Sequence, residues 1–218
     1  MQTKYMQKNT NNKPTFEIEK HFQEQGFELV AGADEVGRGA LAGPIFAAAA
    51  IFDIEKNFRG IRKIKDSKLL KAKEREEILK YIRKNVIDSA IGSASVEEIN
   101  KHGIGAANIM AFKRALDNLK SVDFAIIDGR QFRGFAYKYF CVEKGDNKSI
   151  SIAAASIIAK VERDKLMSEL DPSDIYGFKN NKGYGAKKHQ EALKSHGPSE
   201  HHRTQFIRGI LNSDPKLF

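Results

Sequence analysis

The residues Ala31-Gly32-Ala33-Asp34-Glu35-Val36-Gly37-Arg38-Gly39-Ala40-Leu41-Ala42-Gly43-Pro44 leave few folds open. An apolar run ends there on two adjacent carboxylates, glycines follow on both sides of a single arginine, and a proline closes the stretch. A second apolar run, Ile45 to Phe52, starts at once. Strand-length apolar runs joined through glycine and proline predict a hairpin at the start of a β-sheet, with Phe27 to Ala33 and Ile45 to Phe52 as its strands. Carboxylates hold divalent cations, and glycines let a backbone come close to a phosphate or a sugar. The stretch therefore raises the expectation of a metal-dependent site working on a phosphate-containing polymer.

Further along, the patterning alternates. A short helix is expected over Thr15 to Gln25, a basic loop from Asp53 to Lys68, and a helix from Lys71 to about Lys84 with Ile78, Leu79 and Ile82 on one face. Val86 to Val96 is β-prone. A helical turn at Glu97 to Lys101 and an amphipathic helix over Gly105 to Leu119 precede the short apolar strand Phe124 to Ile127. Phe135 to Val142 is the next expected strand, and Ser151 to Leu170, opening on small residues, is the strongest helix. Beyond it lie a Gly/Asn/Lys-rich loop, Asp171 to Lys188, and short helices at Lys187 to Ser195 and Thr204 to Leu211. This order gives an α/β domain with a mixed sheet, residues 27–170, between an N-terminal extension, 1–26, and a C-terminal helical segment, 171–218.

Charge narrows the partners. Thirty-seven Lys and Arg against 28 Asp and Glu leave a net charge of +9, which suits a polyanion. The single cysteine, Cys141, excludes an intrachain disulfide and any cysteine-built zinc site; in its apolar-aromatic run it reads as a buried structural thiol. No apolar run approaches the ~20 residues of a membrane span, and the polar start Met1 to Pro14 lacks a secretory core, so a cytoplasmic location is expected.

Asp34, Glu35, Asp128 and Asp146 share a context: each follows or flanks an expected strand and lies near glycine. Asp128-Gly129 and Gly145-Asp146-Asn147 also read as simple turns. Adjacent strand residues point to opposite faces, so Asp34 and Glu35 can serve one cation only if the chain bends there or a backbone carbonyl replaces one side chain. Four carboxylates brought together repel unless cations offset the charge, and the sharper reading is a two-metal site.

Seven motifs recur in order: Asp34-Glu35-Val36-Gly37-Arg38-Gly39, Asp66-Ser67-Lys68, Ile127-Asp128-Gly129, Lys144-Gly145-Asp146, Ala154 to Asp164, Lys182-Gly183-Tyr184 and the stretch His196-Gly197 to His202-Arg203. This series resembles the signature of bacterial type 2 ribonuclease H. Together the motifs run from about Leu29 to Phe206. The resemblance implies a ribonuclease H-like fold, a central mixed sheet flanked by helices, with the C-terminal part closing a nucleic-acid groove. It implies an endonuclease that cuts the RNA strand of RNA/DNA hybrids and incises 5′ of single ribonucleotides embedded in duplex DNA. The products would carry 3′-hydroxyl and 5′-phosphate ends, and the role would lie in ribonucleotide removal during replication and repair.

Carried over by motif, Asp34, Glu35, Asp128 and Asp146 become the catalytic metal set for two ions of Mg²⁺ or Mn²⁺, hard cations that prefer oxygen ligands. The backbone of Gly37-Arg38-Gly39 becomes the reader of the ribose 2′-hydroxyl, with the Tyr184 ring packed on the next, deoxy, sugar. Lys68, Lys160 and Arg163 are expected to contact phosphate, with amides of a helix beginning near Ser151. His201-His202 reads as packing or a phosphate contact rather than a metal site. Leu69 and Asn181 depart from the family's commoner lysine and histidine.

Two alternatives stand beside this reading: a basic nucleic-acid-binding protein without turnover, and the type 3 enzyme, against which Arg38 and the short N-terminal segment argue. The expected assembly is a monomer. A replication clamp is a further partner if the tail from Phe206 to Phe218 docks on it.

Overall fold

The computed structural model describes residues 13–56, 58–64, 67 and 70–212, with Arg62 described in its backbone alone. Lys68 and Asp66, the N-terminal residues 1–12, and residues 213–218 of the tail from Phe206 to Phe218 considered for a clamp contact lie outside them.

Five strands form one mixed sheet: β1 (Val30–Val36), β2 (Ile45–Ile51), β3 (Asp88–Ala94), β4 (Phe124–Asp128) and β5 (Tyr139–Val142), in the order β3-β2-β1-β4-β5. β1, β2 and β3 run antiparallel in sequence as a meander, whereas β4 and β5 add parallel to the other side of β1. Among the described residues, seven α-helices accompany them: α1 (Glu17–Gln23), α2 (Ala72–Asn85), α3 (Val96–Asp117), α4 (Ile150–Glu169), α5 (Phe178–Asn181), α6 (Lys187–His196) and α7 (Thr204–Leu211).

Strand alternation separates two apolar layers. Ala31, Ala33, Ile45, Ala47, Ala49 and Ile51 pack on α3 through Ala107, Ala111, Phe112 and Ala115. Ala48 and Ala50 face the opposite way, onto α2 and the small-residue stripe Ala153, Ala154 and Ala155 of α4. Those alanines let helix and sheet come close. At Gly32 the approach is closest, since a Cβ there would lie 2.3 Å from the Ile152 nitrogen.

Several expectations shift. β1 continues through Asp34, Glu35 and Val36, paired with Ala48, Ala47 and Phe46, so there is no bend between the two acids; the chain turns at Gly37, whose φ is +88°. The two expected pieces around residue 103 are one helix broken at Gly103, with φ 79° and ψ 160°. β5 is shorter than expected: Phe135 packs tilted against Phe132 and Tyr137 and edge-on against Tyr139, in an aromatic cluster outside the ladder. Cys141 is half-buried rather than buried, and burial followed by the charge of Asp128 pushes its thiol up to about 11.

From residue 13 on, the N-terminal segment packs on the sheet and on the start of α4. Thr15 pairs with the chain at Ser149, and Phe22 of α1 stacks on Phe124 with ring centres 4.2 Å apart. Glu19 is buried, and its Oε1 accepts from Ser149 Oγ at 2.7 Å and from the Ser151 amide at 3.0 Å. The remaining first-turn amides of α4 donate to the Thr15 carbonyl (Ile150) and to Ser149 Oγ (Ile152). The expected offer of these amides to phosphate is thus corrected: the protein's own N-terminal segment already uses them.

Candidate active site and the loop beside it

The parallel register of β1 and β4 sets Ala33 opposite Ile127, so Asp34 and Asp128 emerge side by side where the ladder between the two strands ends. Both share the parity of the residues that face α4: Gly32 touches Ser151, and Ile126 packs with Ile152. Val142 pairs with Asp128, and the chain then enters a 3-10 turn, Gly145–Asn147, that brings Asp146 to the same edge just before α4. The Gly145 amide donates to Asp128 Oδ1 at 2.6 Å and ties that turn to β4. Glu35, one residue along an unbent strand, is held by Arg38 at 3.8 Å.

Electrostatics join these groups. Burial, and after it the charge of Asp128, raise the Asp34 carboxyl well above the usual carboxylate range; Glu35 and Asp146 push the same way, opposed by a hydrogen bond from Ser156. Asp34 Oδ1 accepts from the Glu35 amide at 2.8 Å, and Asp146 Oδ1 from Asn147 Nδ2 at 3.0 Å. Among the described residues, no three His, Cys, Asp or Glu side chains form a ready-made metal-holding group. The donors are nonetheless all hard oxygens around a buried, charge-repelled carboxylate, a set that suits a divalent cation of the Mg²⁺ type.

Ser156 was not singled out from sequence. Its hydroxyl lies 3.0 Å from that of Ser67, which links Ser67 to Asp34. Both hydroxyls are buried, and a serine inside a helical run gives no local sign of such a partner.

The glycine loop leaves the same strand. At Gly37 the backbone takes a positive φ, and its amide donates to Tyr184 Oη at 3.2 Å. Gly39 is open, with nothing within 4 Å of a Cβ placed there, and the Arg38 side chain is 59% exposed. Tyr184 is 37% exposed, and Lys160 Nζ sits 6.0 Å from its ring centre while donating to Asp164 Oδ1 at 2.8 Å.

Arg163 departs from its expected place at phosphate. It is fully buried, and its Nε, Nη1 and Nη2 donate to the carbonyls of Pro44, Lys182 and Ala42 at 2.9, 2.9 and 3.1 Å. A guanidinium spent on three carbonyls beneath the loop is a strut, not a surface cation. Arg203 is its counterpart, donating from Nε to Gly43 O at 2.9 Å and from Nη1 to Arg38 O at 3.1 Å. Burial, then the nearby Arg163, lower its pKa to about 9. Of the two expected histidines, His202 is packed: its Nε2 meets His189 Nε2 at 2.9 Å, among Tyr176 and Phe178.

A mixed sheet with a three-strand antiparallel meander, two parallel strands beyond it and helices on both faces is the architecture of the ribonucleases H. The solved ribonuclease H2 from Pyrococcus horikoshii OT3 is similar over 84% of this chain and 97% of that one, with a TM-score of 0.68 and 27% identity. The family model for ribonuclease HII matches residues 31–209. The ribonuclease HII of Caldicellulosiruptor bescii is 40% identical over 199 residues, 90% of this chain and 95% of the relative. That of Clostridium botulinum strain Hall is 45% identical over 186 residues, 84% of this chain and 69% of the relative. The chain belongs to the ribonuclease HII family, and with it to the metal-dependent endonucleases of the ribonuclease H class. The type 3 alternative and the binding protein without turnover are thereby set aside. No helix among the described residues is long and apolar enough to cross a membrane.

Proposed function

We propose that the protein hydrolyses the RNA strand of RNA/DNA hybrids and incises duplex DNA 5′ of a single embedded ribonucleotide, with Asp34, Glu35, Asp128 and Asp146 as the metal-binding catalytic set. The observation that carries this reading is that Asp34 is buried beside Asp128 where the β1–β4 ladder ends and feels the charge of Asp128, Glu35 and Asp146. Two cations of the Mg²⁺ or Mn²⁺ type, when bound, supply a lowered pKa for the attacking water and charge for the leaving oxygen.

The chain's own groups do the rest. Asp34, at the centre of the sheet, takes its orientation from the Glu35 amide and Ser156, and Asp128 from the Gly145 amide. Because β1 is unbent, Glu35 does not share Asp34's face, which favours the alternative in which its backbone carbonyl serves the site. The Gly37–Gly39 backbone can come close to a ribose because Gly39 has no side chain and nothing stands over it, and a 2′-hydroxyl offers both a donor and an acceptor to peptide groups. Tyr184, tied to the Gly37 amide, offers an exposed ring edge for the following sugar. Arg38 and Lys160 stand at the rim of the same surface, where a phosphate backbone would run, and the C-terminal segment borders it through Gly183 and His201, whose carbonyls accept from Leu41 and Gly43.

The test is a pair of substrates, a uniform RNA/DNA hybrid and a DNA duplex carrying one ribonucleotide, each incubated with Mg²⁺ or Mn²⁺ beside the Asp128→Asn variant. The parent cuts both and the variant neither. Undiminished cutting by the variant removes the assignment of the carboxylates.

A further inference from the structure

We infer that Arg163 and Arg203 are positioning residues for substrate choice: the two buried guanidiniums fix the glycine loop against the Tyr184 segment and so set how well a lone ribonucleotide is preferred to a continuous hybrid. The inference rests on the reading of Gly37–Gly39 and Tyr184 as the 2′-hydroxyl reader.

The two side chains come from different parts of the fold and meet under one loop. Arg163 belongs to α4, the helix that also faces Asp34, whereas Arg203 opens α7 in the C-terminal segment. Between them they bind the carbonyls of Arg38, Ala42, Gly43 and Pro44, and Arg163 alone reaches across to Lys182, two residues before Tyr184. The Arg203 amide adds Leu41 O at 2.8 Å. Few side chains besides arginine could do this, because only a planar fork with several fixed donors bridges carbonyls on separate segments.

The geometry leaves the loop little play. A Cβ on Gly37 would stand 2.2 Å from Arg163 Nε, and one on Gly43 would stand 2.2 Å from Met167 Sδ and 3.4 Å from Arg163 Nη2. The Arg163 guanidinium lies 5.6 Å from the Tyr184 ring centre, beneath the contact between that residue's hydroxyl and the Gly37 amide. Two like charges this deeply buried are costly to keep, as the lowered pKa of Arg203 records, and a core of apolar residues would hold a loop without that cost. What charge and fork geometry add is a fixed backbone position. A lone ribonucleotide presents one 2′-hydroxyl followed by a deoxy sugar, so it depends on loop and ring being in register. A continuous hybrid presents a 2′-hydroxyl at each RNA residue and tolerates a displaced loop better.

The experiment measures kcat/KM for the one-ribonucleotide duplex and for the uniform hybrid on the same preparation of the parent, Arg163→Lys and Arg203→Lys. Taking the ratio cancels the folded fraction. Lysine keeps the charge but not the fork, and the expected result is a ratio about tenfold or more below the parent, with hybrid cleavage reduced less. A folded variant whose ratio stays within about twofold of the parent overturns the inference. Failure of both variants to fold overturns it as well, since the arginines would then be supporting the domain rather than the reader. A parent that never incises the one-ribonucleotide duplex instead refutes the underlying reading of the loop, which keeps the two failures apart.

Discussion

The amide of Gly37 donates to the phenol oxygen of Tyr184 at 3.2 Å across 147 positions of sequence. This contact joins the loop that leaves the catalytic strand to the only described tyrosine among the large exposed apolar side chains. Tyr184→Phe keeps the ring and removes the hydrogen bond, whose net worth is about 0.5–1.5 kcal/mol. Cleavage of the one-ribonucleotide duplex is predicted to fall up to about tenfold, with a smaller change on the hybrid. Gly37→Ala is harsher: a Cβ would meet Arg163 at a backbone angle alanine resists, for a predicted loss of about 2 kcal/mol or more in urea unfolding.

Divalent metal should stabilise the parent through Asp34. With chelator present, the buried Asp34 carboxylate is repelled by Asp128, Glu35 and Asp146, and a cation that relieves this binds the folded state preferentially. Millimolar Mg²⁺ or Mn²⁺ is predicted to raise the melting temperature of the parent and not that of Asp34→Asn. Cleavage by that variant should fall by roughly three orders of magnitude. An equal thermal response in both proteins would place the cation elsewhere.

Glu19 caps α4 from outside the catalytic core. Removing its carboxylate leaves the Ser149 hydroxyl and the Ser151 amide buried without their acceptor, at a cost of about 2–4 kcal/mol in Glu19→Ala. Ser149 lies three residues beyond Asp146, and Thr15 bonds to the carbonyl of Lys148 and the amide of Ile150, so the Asp146 turn should loosen too. Equilibrium unfolding and amide exchange at residues 145–151 read these effects.

The His189–His202 pair predicts a pH dependence of stability. Burial, then the neighbouring His189, hold His202 down to about 4, and burial lowers His189 as well. A base whose folded pKa lies below its unfolded value of about 6.5 binds fewer protons when folded, so stability is fully present above about 6.5 and is lost as pH falls toward 4. The loss is on the order of 2–3 kcal/mol. Urea midpoints between pH 7.5 and 4.5 should fall in the parent and fall less in His202→Phe.

The sheet and the acids were legible because their signals are local. Apolar runs ending on Asp34, Asp128 and Val142, with glycine after or near each, mark strand ends, and the small residues of Ser151 to Ala155 mark a helix that packs tightly on a sheet. The two helical pieces, Glu97 to Lys101 and Gly105 to Leu119, were readable, and Gly103 is where they meet at an angle. Long-range satisfaction was not readable. Arg163 looks like any helical cation near Lys160 and Glu162, and only the fold reveals that three carbonyls, two of them about 120 positions away, absorb its donors. The same holds for Glu19, Ser156 and Arg203, whose partners lie on other elements. Of the two alternatives for Asp34 and Glu35, a bend or a backbone carbonyl in place of one side chain, the bend is absent because the ladder with β2 continues to Val36 and the chain turns at Gly37.

The central claim is that one strand end carries both the metal-binding acids and the ribose reader, and mapping the cut at single-nucleotide precision on a duplex with one ribonucleotide tests it most directly. The account predicts one metal-dependent incision on the 5′ side of that ribonucleotide, leaving a 3′-hydroxyl and a 5′-phosphate, abolished in Asp128→Asn. Cutting at other positions, or cutting that persists in chelator, would contradict it.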